Sequence, residues 1–410
     1  MLGLKNLYLL GLSVLLLLSG CAPKFDQETE VIQDSDKKSE KAIIPRYNIS
    51  DSYYKAVIPY KTGKARGMVA AGLNNRVDID EFETGLMRIA QDSFPANKYF
   101  FQEGQYIEKD TIRDWLRRKR SPAQQEAYEQ NTAKAKKTKV RTLPNEGLNP
   151  VFDVADNNPD YEAEMTKSPI YIATITEQNY LIKNNEDKLE VGGVVIGIGM
   201  NSHHYYNLPA GMGGYPRDVK ISDADIEREG KKAAEEIINR IRSGEEYAGI
   251  RDVPIIVALF KQEAVNSVAP GNFIMKAKVD ANSSKIGKWE AINEEYYFFP
   301  SSDATNNYRE DALMVQNFSD AIAEFFPNFT AVVGKGFYKN DELQELTLTV
   351  PMQFYGKAEV IGFTQYVTGL IMEHFENYIS LQVYIESEGE AESVIIRDAG
   401  ETEPTVHVYN

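Results

Sequence analysis

The chain opens MLGLKNLYLLGLSVLLLLSGCAPK, where Lys5 precedes an almost unbroken apolar run from Leu7 to Leu18 and the only cysteine of 410 residues, Cys21, comes just after it. As a helix, such a run of about 12 residues spans roughly 18 Å, well short of the ~30 Å hydrocarbon core. It therefore reads as the apolar core of a secretory signal, and the part that folds lies beyond it. A single cysteine also removes an internal disulfide framework and any structural zinc site built on two or more thiolates. The roughly 390 residues that remain are enough for two or three domains. At 42% hydrophobic residues with 24 Tyr and 18 Phe, the whole chain of 410 can bury a core rather than stay disordered.

The run ends Leu18, Ser19, Gly20, Cys21, which resembles the lipobox of bacterial lipoproteins: an aliphatic residue, two small ones, then cysteine. Small side chains are needed there because the peptidase must draw the extended backbone against its own catalytic groups. The resemblance implies cleavage between Gly20 and Cys21 and a diacylglyceryl group on Cys21. At about 0.8 kcal/mol per buried CH₂, two acyl chains anchor stably where one does not. The expected layout is a signal peptide over 1–20 and a flexible tether over 21–42, polar and without periodicity. A body held on the extracellular face of the cell membrane follows. No later stretch approaches 18 consecutive apolar residues, so no transmembrane helix is expected. The net charge of −16 argues against a nucleic-acid partner, whose phosphates demand positive surface.

Within the body, 43–167 reads as a helical and mixed region and 168–410 as α+β, with antiparallel or mixed sheets and packed helices. A helix is predicted over 80–94, with Asp78 as its cap, Glu81 three residues on, and Ile79, Phe82, Leu86 and Ile89 on one face. The stretch 113–141 is the one basic region: ten Lys or Arg against three acids, net +7, leaving −23 for the rest of the chain. Ser121 and Pro122 mark the start of a helix inside it. A loop rich in Pro, Asn and Asp over 142–167 is a candidate boundary. Beyond it, a hairpin around 183–187, a helix over 223–243 and a strand over 255–260 are followed later by the same order: a hairpin around 339–342, a helix over 358–375 and a strand over 379–385. That order is read as a pseudo-repeat.

Several constellations invite chemistry. Ser52, Tyr53, Tyr54, Lys55 and then Lys61, Thr62, Gly63 match two signatures of penicillin-recognising serine enzymes, but only five residues separate them where the fold of those enzymes needs a long separation. His203 and His204 are adjacent on a strand and point to opposite faces, which suits a surface better than a shared metal. The glycine-rich 209–216, PAGMGGYP, lacks a phosphate-loop ending and precedes a helix whose first turns already carry Asp223, Asp225 and Glu227. Asp153, Asp156 and Asp160 with Asn157 and Asn158 do not follow a calcium-loop order. No catalytic residue, metal set or cofactor loop survives these tests, so no enzyme and no cofactor are expected. His203, His204, Tyr205, Tyr206 and Tyr296 remain as a candidate ligand surface. With the basic stretch, they fit a wall polymer, sugar or peptide partner.

The segments 41–67, 78–95 (DIDEFETGLMRIAQDSFP), GLNP at 147–150, 191–202 (VGGVVIGIGMNS), 253–263 and 351–371, together with the lipobox segment, resemble the CamS family of Gram-positive lipoproteins, the sex pheromone precursors. That resemblance covers nearly the whole chain after Cys21. It implies that the named activity belongs to the discarded signal peptide, whose last seven residues become a hydrophobic mating signal. The corresponding residues here are Val14, Leu15, Leu16, Leu17, Leu18, Ser19 and Gly20, which differ from the alanine- and isoleucine-containing pheromone. The family implies no enzymatic activity for the mature body.

Overall fold

The computed structural model describes residues 29–35, 38–45, 49, 53–326, 329 and 331–410. Strand β9 (Ile255–Gln262), IIVALFKQ, is apolar without alternation, and a strand of that kind has to be covered on both faces. On one face lies α6 (Asp223–Ser243), whose Ser222 side chain accepts from the Asp225 N–H and whose Ile226, Ala233, Ile237, Ile238 and Ile241 are buried. Each of those isoleucines contributes roughly 1.5–3 kcal/mol by leaving water. On the other face lies α2 (Arg76–Ala90), with Phe82 and Leu86 packed among Phe260, Phe273 and Tyr180. Helix, sheet and helix thus form three layers.

The sheet between them runs β11 (Glu290–Ala291), β10 (Asn272–Val279), β9, β6 (Lys188–Asn201), β5 (Ile172–Lys183), β4 (Phe100–Glu103), β3 (Lys55–Ala56). A hairpin of β1 (Thr29–Ser35) and β2 (Lys38–Ile44) joins β6 through the parallel pair Ile32 and Lys188. A second sheet runs in sequence order, β12 (Glu294–Phe299), β13 (Val333–Lys339), β14 (Glu342–Pro351), β15 (Ser380–Ser387), β16 (Glu390–Arg397), β17 (Thr405–Val408). One face of it packs against α8 (Arg309–Phe325) and α9 (Lys357–His374), through Phe318, Phe363 and Val367 over Leu346, Leu348 and Val383. The architecture is α+β with mixed sheets, as expected. Among the described residues, no helix is long and apolar enough to cross a membrane.

Three expectations change. Residues 29–35 and 38–42 of the expected tether lie in the paired strands β1 and β2, where Val31 and Ala42 are buried against Leu181 and Leu189. Its few apolar residues were too sparse to register as a pattern. The helix expected over 80–94 starts four residues earlier, because Asn75 rather than Asp78 caps it. The boundary near 167 is not one: β4 pairs with β5, and α2 packs on β6 and β9, so 53–291 shares one core. The polar loop that looked like a linker is pinned by Asn149, whose amide bonds Leu116, Tyr171 and Ile172 backbone groups at 2.8–3.2 Å. The chain passes to the second sheet at 292–293 instead. The order hairpin, helix, parallel strand does occur in both sheets, at β5, β6, α6, β9 and at β13, β14, α9, β15. The order by itself does not establish a repeat.

Candidate functional site

The residues from Val14 to Cys21, which carry the expected peptide, cleavage site and lipidation site, lie outside the described residues. Ser52 lies outside it as well. The Lys61, Thr62, Gly63 triplet is part of a loop whose Gly63 N–H is held by the Glu103 carboxylate, which also accepts from the Tyr60 hydroxyl at 2.7 Å. This is a structural role for the loop.

His203, His204, Tyr205 and Tyr206 fall on β7 (His203–Asn207), which pairs with β8 (Pro216–Lys220) as a two-stranded ribbon beyond the end of β6. Alternation sends the residues to two faces. His203 stacks on Tyr205 with ring centroids 6.0 Å apart, and His204 on Tyr206 at 5.6 Å. The Tyr205 hydroxyl accepts from the Val265 N–H at 3.1 Å. Burial, with Arg118 nearby, pushes His204 down to about 4, so it is neutral at pH 7. The glycine-rich 209–216 is the ribbon's turn, and Gly213 and Gly214 supply the positive φ values of 99° and 67° that it requires.

Tyr296 lies elsewhere, where the two sheets meet. Glu81 and Arg88 are two helical turns apart on α2 and share a face. The Arg88 Nη2 lies 2.6 Å from Glu81 Oε1 and 2.7 Å from Glu294 Oε2, and its Nε lies 3.2 Å from Glu294 Oε1. The Tyr296 hydroxyl donates to the other Glu81 oxygen. The Phe337 ring lies 4.6 Å from the guanidinium and 5.0 Å from the Tyr296 ring, and Lys335 stands 5.6 Å from the latter. Burial raises the Glu81 carboxyl against the pull of Arg88. Burial alone would lower Arg88, but Glu81 and Glu294 outweigh it and hold the cation firmly charged. The Tyr296 hydroxyl is driven well up by burial and by Glu81, so it remains a donor.

Beside this network opens a cavity of about 500 Å³, whose walls include Tyr53, Asp80, Thr84, Lys335, Glu345 and Thr347. A second cavity, of about 360 Å³, lies on the other flank of α2 next to Glu83 and Glu103, and it shares Asp80 and Met87 with the first. The first cavity lies within the roughly 300–1,000 Å³ typical of small-molecule sites and occupies a junction of the kind they favour. The structure therefore divides the expected ligand surface into two places, the ribbon and the junction. Of the residues in the charged network, only Tyr296 was visible as a sequence candidate. Glu81 and Arg88 carried a signal only as a pair seven apart on a helix, and the strand residues carried none.

The basic region divides too. Arg113 and Arg117 pair with Asp110 and Asp114 at 2.6 and 2.7 Å. Arg118 bonds the Ser168 and Pro150 carbonyls, and Arg120 stacks 3.7 Å from the Tyr128 ring. Ser121 caps α4 (Pro122–Ala135) with a full capping box, as expected. Lys134, Lys136, Lys137, Lys139 and Arg141 are exposed at and beyond the helix end. Asp153 accepts from the Ser121 hydroxyl, and Asp160 precedes α5 (Tyr161–Lys167). Among the described residues, no group of three or more His, Cys, Asp or Glu is placed to hold a metal.

The sequence model described as CamS sex pheromone cAM373 precursor matches residues 60–403. A structure of a sex pheromone precursor from Lactobacillus salivarius is 32% identical, with a TM-score of 0.75, covering 90% of this chain and 99% of the other. The C-terminal domain of the sex pheromone staph-cAM373 precursor from Staphylococcus aureus is 29% identical, with a TM-score of 0.69, covering 83% of this chain and 99% of that one. Among functionally curated proteins, none matches.

Proposed function

The chain belongs to the CamS family of sex pheromone precursors, and from that premise we propose that it is a precursor with two products: a short apolar peptide from its leader and a lipid-anchored surface protein. The observation that carries this reading is the sequence Leu18, Ser19, Gly20, Cys21, which places the only cysteine where lipidation and cleavage require it. Cleavage before Cys21 frees the signal peptide, and a further cut before Val14 leaves VLLLLSG. The acylated Cys21 holds the body on the extracellular face, with eight residues to Thr29 and the start of β1. Mass spectrometry of culture medium tests the first product: the Val14–Gly20 peptide is expected there. Membrane fractionation tests the second, since Cys21→Ala should leave uncleaved precursor without a lipid mass. Normal processing and retention of that variant would overturn the anchoring.

A second reading concerns the body, as a surface module that binds a wall polymer, sugar or peptide. The junction cavity at Tyr296 favours it, because a concave site between two separately cored sheets is a common place for a ligand. Calorimetric titration of the purified lipoprotein with wall-derived fragments tests it; heats that saturate support it, and none across the set counts against it.

A further inference from the structure

The walls of the junction cavity restrict the chemistry of what can enter. In the β12–β13–β14 register, Tyr296 lies opposite Phe337 and Phe337 opposite Glu345, while Lys335 lies opposite Thr347. Leu346 and Leu348 point into the helical core, so the alternate residues Glu345 and Thr347 stand on the other face of the sheet, towards α2. Most of the charge on the walls is already paired, with one carboxylate in excess around Arg88. Arg88 is matched by Glu81 and Glu294, and Asp80 by Arg76 at 2.8 Å. Of the remaining wall charges, Lys335 and Glu345 are opposite in sign, and neither has an ion-pair partner among the described residues. Tyr53, 52% exposed, stands at the mouth.

An anion would meet the carboxylates, a cation would meet the unpaired Lys335, and an apolar peptide would strip water from charged groups without pairing them. An uncharged molecule rich in hydroxyls meets none of these costs. Its hydroxyls can donate to Glu345 and Thr347 and accept from Lys335, and its C–H faces can rest on the electron-rich faces of Tyr53 and Tyr296. We propose that this cavity binds a neutral oligosaccharide. The proposal rests on the reading of the body as a ligand-binding module and names the ligand class of that same site.

The test is calorimetric titration of the full lipoprotein in detergent with cellotetraose and tetra-N-acetylchitotetraose, and, as contrasts, with tetragalacturonate and the VLLLLSG peptide. Saturable binding of at least one neutral tetrasaccharide is expected. Tyr53→Ala and Lys335→Ala should each weaken it by about fivefold or more without lowering the melting temperature. Tetragalacturonate should bind about tenfold more weakly than the neutral sugar. Tight binding of the peptide or of the uronate, with neither neutral sugar bound at about 10 mM, overturns the ligand class and leaves the module reading standing. Sugar binding indifferent to both variants overturns the site, and no binding by any probe overturns both readings.

Discussion

Arg88 of α2 and Glu294 of β12, 206 residues apart in sequence, form a two-pronged ion pair that fastens one sheet's covering helix to the first strand of the other sheet. Glu294 is nearly inaccessible, with its side chain 3% exposed, and Glu81 shares the same cation at 9%. Two carboxylates buried around one guanidinium rely on it to offset the cost of taking their charge out of water.

Removing the cation should therefore cost more than removing any exposed ion pair. Arg88→Met is expected to lower unfolding free energy by about 3–5 kcal/mol, because it removes the one cation shared by the buried Glu81 and Glu294. Adding Glu81→Gln and Glu294→Gln to that variant should recover a large part of the loss. Urea unfolding of the single and triple variants measures both.

Asp78 gives a pH signature. It is fully buried, and its Oδ1 accepts from the Gly271 N–H at 2.6 Å. Burial, opposed by that hydrogen bond, raises its carboxyl from 3.8 to about 6. A folded-state value above the unfolded one means that the folded protein holds the proton more tightly. The associated stability is full below about pH 3.8 and is lost as pH rises through about 6. Asp78→Asn does not titrate, so its stability relative to the parent should improve from pH 4 to pH 7 by on the order of 2–3 kcal/mol. Melting curves of the pair at the two pH values check the sign.

Glu177 organises the loop between β4 and α3 (Lys109–Leu116). Its buried carboxylate accepts from the N–H groups of Gln105, Tyr106 and Ile107 at 3.1, 3.1 and 2.7 Å. A glutamine offers one acceptor oxygen and turns an NH₂ towards those donors. Glu177→Gln should cost about 2–3 kcal/mol, with faster amide exchange concentrated at 105–107.

Gly197 on β6 sets how closely α2 approaches the sheet. A Cβ there would lie 2.6 Å from Leu86 Cδ1 and 2.9 Å from the Phe82 ring, both fully buried. Gly197→Ala should push α2 outward and destabilise by about 1–3 kcal/mol, and it should also loosen the Arg88–Glu294 contact. Denaturant unfolding reads the first effect, and sugar titration of the junction cavity reads the second.

Much of the fold was legible from local pattern. Helix α6 spans the expected residues, with its expected isoleucines buried, because a strong cap at Ser222 and a 3.6-residue apolar period agree. The β5–β6 hairpin and strand β9 were legible for the same kind of reason. The β1–β2 hairpin was not, since Val31, Ala42 and Ile44 are buried in a cluster with Val57, Leu181 and Leu189, the last two more than a hundred positions away. The loop held by Asn149 looked like a linker because composition reports a lack of regular structure and says nothing about contacts.

By itself the sequence determined the apolar run and the single cysteine after it, the α+β class and the faces of the long helices. All of these are encoded within one or two turns or one strand, where periodicity and caps act. The junction was decided only by tertiary structure. Glu81, Arg88, Glu294, Tyr296 and Phe337 come from three separated segments, and neither the matching of their charges nor the cavity beside them exists until two sheets meet. Long-range pairing of buried charge leaves no periodic trace in a chain, so no local pattern announced it.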